Sequence, residues 1–241
     1  MEYTDKEYCL EVWGDFACFT RPEFKVERVS YDVITPSAAR AIFEAILFKK
    51  YAMRWQITRI EVLNPIKWFS IRRNEVEAVA SYKKPQTLNI LEGKIHKPRN
   101  SLILRDVRYR IWAKLVFIPV ANRPKEAFAK HAPTADENPM KYYQMFERRA
   151  KAGQCFTQPY FGTREFSASF RLVDTDQPLS PPIPDIRVLG SMLYDWHFGE
   201  NNIVARFFNV IMENGVITIP DKYSEEIVPN LKVVDGCDTI A

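Results

Sequence analysis

Alternating hydrophobic and polar positions predict four strands in the first 172 residues of the chain. Residues 8–13 alternate like a half-buried strand. Residues 55–69 are rich in β-branched and aromatic side chains and predict a second strand, with Asn64-Pro65 as a candidate bulge. Residues 102–119 form the longest alternating run, and residues 160–172 supply a fourth. These runs have the period of two that a sheet with one buried face requires.

Two helices are predicted from their end signals. Thr35 and Pro36 place a hydroxyl N-cap before a proline at the first helical position, and an apolar stripe of helical period follows. Asn138 and Pro139 repeat this signal, and Gly153 suits the left-handed residue after a helix. The order strand, helix, strand, strand, helix, strand predicts an α+β fold of the ferredoxin-like type, an antiparallel sheet backed by two helices.

A proline-rich break, TDQPLSPPIPD at residues 175–185, separates this fold from the rest of the chain. Two strand-like runs follow it, and a hairpin turn is predicted at Asn214-Gly215. The sequence therefore predicts a ferredoxin-like domain over residues 1–173 and a small β-sheet domain over residues 185–241.

The composition shows a small excess of basic side chains and few residues at the spacing of metal ligands. The 241 residues include 34 basic and 30 acidic side chains, a net charge of +4 that is compatible with a polyanion partner. There is no run of 18 or more apolar residues and no N-terminal basic segment followed by an apolar one, so we expect a cytoplasmic protein. Four cysteines without a CxxC pair, and three histidines without HxxxH or HExxH spacing, predict reduced thiols and no metal or other cofactor.

The longest strand carries the most informative chemistry. One of its faces is apolar, while the other presents Arg108, Arg110, Trp112 and Lys114. Cations around an aromatic side chain suit single-stranded RNA, because ammonium and guanidinium groups meet phosphates and an indole stacks on a base. The alternative interpretation is a solvated outer face whose Trp112 packs under a loop.

Further basic residues are candidates for the same interface. A polar stretch at residues 81–100 has neither helical nor strand period and predicts a mobile insertion that leads into the long strand. Its His96 could act as a general acid or base near neutral pH, or be an ordinary exposed histidine. The remaining candidates for RNA contact are Lys97, Arg99, Arg72, Arg73, Arg21 and Lys25.

Several sequence blocks resemble a known family. They include SYDVITPSAAR at residues 30–40, LRDVRY at 104–109, MFERRAKAGQ at 145–154, PYFGTREFSASF at 159–170 and MLYD at 192–195. In order and over most of residues 8–213, they resemble the subtype I-C (Dvulg) branch of the fifth-numbered CRISPR-associated Cas family.

The resemblance implies a RAMP-type ferredoxin-like domain with a β-rich C-terminal extension. It implies a nuclease that cuts the repeat of the CRISPR precursor transcript without metal, by attack of a 2′-hydroxyl that leaves a 2′,3′-cyclic phosphate. It also implies that the protein retains the 5′ handle of the guide RNA and joins the backbone and large subunits of the type I-C interference complex.

Two positions depart from the family pattern. The first helix of relatives usually ends in Glu-Ala-Ile-Tyr, whose tyrosine is a catalytic candidate, whereas this chain has Leu47 there. Lys114 stands at about the place of a histidine of the long strand. We therefore expect Lys114 to stabilise charge on the reacting phosphate, with His96 or Tyr51 as acid or base.

A rival hypothesis is that the chain is a structural subunit that grips the 5′ handle with little or no cleavage. Leu47 and Lys114 favour this alternative, while the otherwise intact blocks favour retained processing. Metal-dependent cleavage of DNA is a third reading, for which no acidic pair stands at a useful spacing.

Overall fold

The computed structural model describes residues 5–24, 26–76, 96–123, 137–198 and 203–229. Within these ranges the elements are β1 (Lys6–Ala17), α1 (Pro36–Ile46), β2 (Met53–Val62), β3 (Lys67–Val76), β4 (His96–Phe117), a short 3₁₀ helix (Val120–Asn122), α2 (Pro139–Lys151), β5 (Ser169–Leu172), β6 (Arg187–Phe198), β7 (Ile203–Met212), β8 (Val216–Thr218) and β9 (Val228–Pro229).

The main sheet has the strand order β5-β1-β4-β2-β8, and β3 pairs with β4 beside β2. All its strand pairs are antiparallel. The buried faces of α1 and α2 share one hydrophobic core with the inward side chains of β1, β2 and β4. The predicted ferredoxin-like arrangement is therefore confirmed.

The central strand β4 bends at Asp106, whose φ is 54°. Residues before the bend pair with β3, and residues after it pair with β2 along the same edge. The side-chain amide of Asn64 donates to the Asp106 carbonyl at 2.8 Å, and Lys67 pairs with the Asp106 carboxylate at 3.2 Å. The prediction of one strand over residues 55–69, bulged near Asn64-Pro65, is wrong in its continuity, because β2 ends at Val62 and a separate strand, β3, begins at Lys67.

Both helix starts are confirmed. Thr35 accepts a hydrogen bond from the Ala38 backbone N–H at 3.3 Å, and Asn138 accepts one from the Lys141 backbone N–H at 3.0 Å. Gly153 has the expected left-handed backbone, with φ of 64°. These signals act within one turn of the chain, which is why they could be predicted locally.

Two strand boundaries differ from the prediction. Residues 96–100, expected to belong to the insertion, begin β4 and pair with β3, while residues 77–95 lie outside the described part. Of the strand predicted over 160–172, only β5 is formed. Before it, the chain makes a tight loop around Gly162, closed by a bridge between Tyr160 and Ser167.

The C-terminal region is rich in strands, as predicted. β6, β7 and β9 form a second antiparallel sheet, and the Asn214-Gly215 turn has positive φ at both residues. β8 leaves this region and pairs with β2 in the main sheet. Met192 and Phe208 of the second sheet lie in the same hydrophobic cluster as Ile60 of the main sheet. The division at residues 173 and 185 stays a prediction.

Candidate nucleic-acid interface

The side of the main sheet that faces away from α1 and α2 carries the candidate chemistry, and we call it the polar face. Val107, Tyr109, Ile111, Ala113 and Leu115 of β4 are buried toward the helices, as the alternation predicted. The polar face is formed by the alternate side chains of β4 and their register partners on β1, β2 and β5: Glu7, Glu11, Trp13, Gln56, Arg59, Glu61, Arg108, Arg110, Trp112, Lys114 and Arg171.

Arg110 is buried on this face, with only 3% of its surface exposed. Its Nη1 atom lies 2.8 Å from Glu61 Oε2, and its Nη2 atom donates to the backbone carbonyl of Ser180 in the proline-rich segment. A guanidinium committed to a buried carboxylate and a carbonyl is not available to a phosphate. The position of Arg110 therefore weighs against the predicted RNA contact.

Trp112 is also engaged by its neighbours. Its indole N–H donates to Glu61 at 2.9 Å, and the guanidinium of Arg59 lies 4.2 Å from the ring centroid. Arg59 in turn forms an ion pair with Glu61 at 3.2 Å. One face of the indole is thus occupied by a cation, so base stacking on that face would require Arg59 to move.

Arg108 is exposed on β4, and it shares a carboxylate with Arg171 of β5. Arg108 Nε donates to Glu11 Oε1 at 2.7 Å, and Arg171 Nη2 lies 2.8 Å from Glu11 Oε2. Burial opposes ionisation of Glu11, but hydrogen bonds from Arg171 and Arg108 outweigh it and hold the pKa of this carboxyl below its ordinary value. Two guanidinium groups thus share one buried carboxylate on this part of the polar face.

A groove of about 360 Å³ lies beside this cluster, and we call it the Trp13 groove. Trp13 lines it and is the register partner of Arg108. Asp15 and Asp106 also line the groove, so its charge is mixed, but the exposed indole beside Arg108 offers a stacking surface next to a phosphate contact. Sequence reasoning missed Trp13 and Arg171, although the alternation of residues 8–13 already placed Trp13 on the face opposite the core.

Lys114 lies farther along β4 and is exposed. Its register partners are Glu7 on β1 and Gln56 on β2. Glu7 accepts a hydrogen bond from Thr58 at 2.6 Å, and among the described residues no ion pair involves Lys114. Its ammonium group is therefore placed to interact with an anion that approaches this end of the polar face.

The structure separates two of the predicted catalytic residues. His96 begins β4 and Lys114 lies 18 positions later, which at roughly 3.3 Å per residue is about 60 Å along the strand. Tyr51 lies just before β2, at the same end of the sheet as Lys114. Tyr51 has a φ of 67°, and the Lys50 ammonium lies 4.8 Å from its ring. The fold thus brings Tyr51, but not His96, to the end of the sheet that carries Lys114.

Leu47, at the position of the family's tyrosine, is completely buried. It follows the last residue of α1, and its carbonyl accepts a hydrogen bond from the Trp55 indole at 2.9 Å. The side chain belongs to the hydrophobic core. An alkyl group in this place exchanges no proton with RNA.

The paired strands β3 and β4 before Asp106 carry the other basic candidates. Arg73 forms ion pairs with Glu165 and Glu75, and Arg99 lies 3.5 Å from Glu75. Arg72 and Lys97 are exposed on the same pair of strands. Carboxylates therefore compensate part of the positive charge that the sequence predicts for this region.

Arg21 is tied to the loop after β1. It lies 3.4 Å from Asp32 and 4.5 Å from the ring centroid of Tyr31. These contacts fix the loop to the chain that leads into α1. Lys25, the other basic candidate of this loop, lies outside the described residues.

The described residues contain no candidate metal centre and no candidate membrane-spanning helix. Within them, no group of three His, Cys, Asp or Glu side chains is arranged to hold a metal ion. None of the described helices combines the length and the apolar character that crossing a membrane would require. Cys9, Cys18 and Cys155 are free thiols, and burial raises the pKa of Cys9 to about 12.

The family comparison and two similar relatives agree on one family. The family described as CRISPR-associated protein (Cas_Cas5), of the Cas5d type, matches residues 7–220. The chain is 43% identical over 234 residues to the CRISPR pre-crRNA endoribonuclease Cas5d of Mannheimia succiniciproducens, covering 90% of this chain and 96% of that protein. It is 41% identical over 192 residues to the protein of the same name from Thermus thermophilus, covering 80% and 74%.

Two solved structures share the fold. A CRISPR-associated protein superimposes with a TM-score of 0.64 at 22% identity, covering 91% of this chain and 94% of its own. SMU1763c of Streptococcus mutans superimposes with a TM-score of 0.65 at 22% identity, covering 95% and 100%. At this level of identity the likeness concerns the fold.

Proposed function

Because the chain belongs to the Cas5d family of CRISPR-associated proteins, we propose that it cleaves CRISPR precursor RNA within the repeat without a metal ion. We propose further that it retains the 5′ handle of the guide RNA in a type I-C interference complex, beside the backbone and large subunits. The names of the two relatives, both pre-crRNA endoribonucleases, support RNA cleavage. The identity to the Mannheimia protein extends over nearly both full chains, which supports carrying this activity to the present protein.

The proposed reaction is an internal transfer at one phosphate. The 2′-hydroxyl oxygen attacks the adjacent phosphorus, the bond from phosphorus to the 5′-oxygen breaks, and the products are a 2′,3′-cyclic phosphate and a 5′-hydroxyl. A base removes the 2′-hydroxyl proton, and the leaving 5′-oxygen takes up a proton. Negative charge grows on the non-bridging oxygens between these steps, so a fixed cation beside them lowers the barrier.

The structural observation that best supports the proposed RNA cleavage is the exposed ammonium group of Lys114 on the polar face. Its charge can stabilise the phosphorane without a change in its protonation. Tyr51 is the acid–base candidate at the same end of the sheet, because His96 begins β4 far from Lys114. The Trp13 groove, with Arg108 and Arg171, is the part of the polar face that best fits the retained single-stranded handle.

A second candidate function is a handle-binding subunit that does not cleave. The burial of Leu47 favours it, because the position of the family's tyrosine holds an alkyl group inside the core. Arg108 and Arg171 would serve this function equally, since binding needs no proton transfer.

The test is incubation of the purified protein with its cognate repeat RNA in excess EDTA, with the products resolved on a denaturing gel. The proposal expects one discrete cut, a cyclic phosphate identified by mass spectrometry, and no cut when the 2′-hydroxyl at that site is replaced by hydrogen. Lys114→Ala should slow cleavage about 100-fold or more, as loss of an electrostatic stabiliser does, with unchanged RNA affinity.

Lys114→Arg is the matched variant, because it keeps the charge and should retain more activity than Lys114→Ala. Cleavage by Lys114→Ala at the wild-type rate would remove Lys114 from the mechanism. Tight binding with no cut by the wild-type protein would establish the handle-binding subunit instead.

A further inference from the structure

A second cleft lies where the C-terminal sheet meets α1 and β2, and we call it the junction cleft. It encloses about 400 Å³. Arg40 of α1, Arg54 and Gln56 of β2, Trp196 of β6 and Arg206 of β7 are among the residues that line it. None of them was singled out by the sequence patterns, because the two sides of the cleft come from opposite ends of the chain.

The two carboxylates of the junction cleft are already engaged by a single arginine. Arg40 lies 2.5 Å from Glu44 and 3.0 Å from Asp195. These contacts join α1 to β6 and leave a net charge of −1 on the three side chains, which the positive charges of Arg54, Arg206 and Lys222 in the same lining outnumber. Arg40 with its two carboxylates is therefore the structural part of the cleft.

Arg54 and Arg206 are held by neutral groups instead. Arg54 donates to the side-chain oxygen of Gln56 at 3.0 Å. Arg206 donates to the backbone carbonyls of Lys222 and Ile227 at 3.3 Å and 3.4 Å. Among the described residues neither arginine forms an ion pair with a carboxylate, so both guanidinium groups are oriented without being neutralised. Such an arrangement in a concave surface attracts anions.

An aromatic side chain accompanies these cations. Trp196 lines the junction cleft and is 40% exposed. The neighbouring wall is fixed, because the Gln56 amide donates to the Tyr194 hydroxyl at 3.1 Å and that hydroxyl donates to the Pro220 carbonyl at 3.3 Å. A rigid wall, an exposed indole and unneutralised guanidinium groups suit a nucleotide of single-stranded RNA, whose base stacks while its phosphate meets the cations.

The junction cleft adjoins the end of the polar face that carries Lys114. Gln56, which lines the cleft, is the register partner of Lys114 on the neighbouring strand. Adjacent strands lie about 4.8 Å apart, which is less than the distance between successive phosphates of an extended RNA strand. A strand whose phosphate sits at Lys114 can therefore place its next nucleotide at the cleft.

We propose that the junction cleft binds the RNA nucleotide next to the reacting phosphate, with its base on Trp196 and its phosphate on Arg54 and Arg206. This inference rests on the proposed function for the position of the reacting phosphate. The binding itself does not depend on whether the chain cleaves.

The test measures binding separately from cleavage. The probe is a fluorescent cognate repeat RNA with 2′-O-methyl groups throughout, which blocks the attacking hydroxyl, and the readout is its dissociation constant from anisotropy at several salt concentrations. The double variant Arg54→Gln, Arg206→Gln should bind about tenfold more weakly. The slope of log K against log salt should become shallower by about 0.7, since the two arginines are proposed to hold one phosphate and each single-strand phosphate contact contributes about 0.7.

Two further variants separate the contributions. Trp196→Ala should weaken binding about tenfold with an unchanged salt slope, because stacking involves no counterion release. Arg187→Gln is the matched control, since Arg187 lies on the same strand β6 as Trp196 and pairs with Asp185 at 2.9 Å outside the cleft. It should bind RNA like the wild type. Circular dichroism melting verifies that each variant is folded.

Each outcome either supports or overturns the proposal that the junction cleft binds RNA. Wild-type affinity and salt slope in the folded double variant would overturn it, while cleavage that depends on Lys114 would leave the proposed function standing. A double variant that binds RNA normally but no longer joins its partner subunits would assign the cleft to protein docking and also overturn it. A loss of RNA affinity in a protein that never cleaves would support the cleft and reject the proposed catalysis.

Discussion

The guanidinium of Arg110 on the central strand lies 2.8 Å from the carboxylate of Glu61 on the neighbouring strand, and both side chains are buried. Arg110, which the sequence predicted to contact RNA, is thus part of a buried ion pair. Removing one partner of such a pair leaves an uncompensated charge in the protein.

Arg110→Ala is therefore expected to lower the free energy of unfolding by about 3 kcal/mol. Arg108→Ala, at an exposed position two residues earlier, should cost no more than about 1 kcal/mol. Urea denaturation followed by circular dichroism measures both. Equal losses for the two variants would contradict the structural role of Arg110.

The arginines beside the Trp13 groove are expected to contribute to RNA affinity. Arg108→Gln combined with Arg171→Gln should weaken binding of single-stranded RNA and make the salt dependence of log K shallower by about 1.4. The change removes both cationic partners of the buried Glu11 and therefore costs stability, so circular dichroism melting verifies that the variant is folded. Anisotropy titrations measure the affinity and the slope, with Arg187→Gln as the control. An unchanged slope would show that RNA does not contact these two arginines.

The lowered pKa of Glu147 predicts that the free energy of unfolding falls at acid pH. Burial opposes ionisation of Glu147, but hydrogen bonds from Lys6 at 2.6 Å and Tyr8 at 2.9 Å outweigh it, so its pKa is lowered. A lowered native pKa adds stability that is fully present above the unfolded value of about 4.3 and is lost as the pH falls through the native value.

Glu147→Gln should therefore show a smaller loss of unfolding free energy than the wild type as the pH falls below about 4.3. Tyr8→Phe removes only one of the two donors, so its loss should be intermediate. Urea denaturation at a series of pH values tests this order. Identical acid dependence in all three proteins would refute a lowered pKa at Glu147.

Two glycines with positive φ should differ in how much stability the protein loses when each is replaced by alanine. Gly162 has φ of 80°, and a Cβ atom there would overlap the Cys18 carbonyl, whereas Gly153 has φ of 64° and open space around it. Gly153→Ala should cost about 1 kcal/mol from backbone strain alone. Gly162→Ala should cost distinctly more, because the loop must move away from β1. Thermal unfolding of both variants tests this difference, and similar melting temperatures would contradict the close approach.

Local signals in the sequence were enough to predict both helix starts and the alternation of the long strand. The caps at Thr35 and Asn138 act through hydrogen bonds three residues away, and the alternation along β4 needs no partner to be visible. The sequence indicated a bulge near Asn64-Pro65 but not a full break, because β2 and β3 are distinguished only by their pairing with β4 on either side of Asp106, some forty residues later. The positions of Lys114 and Tyr51 at one end of the sheet likewise follow only from strand pairing.

The sequence by itself determined the family, the order of elements and which side chains of β4 face away from the core, since all three are recorded in residue order. Only the tertiary structure decided which of those cations are free to meet a phosphate. Glu61 neutralises Arg110 from another strand, Arg108 and Arg171 share the single carboxylate of Glu11, and the junction cleft joins β2 to β6 and β7. Electrostatic compensation depends on distance in space, and residues far apart in the chain acquire that distance only when the sheet is assembled.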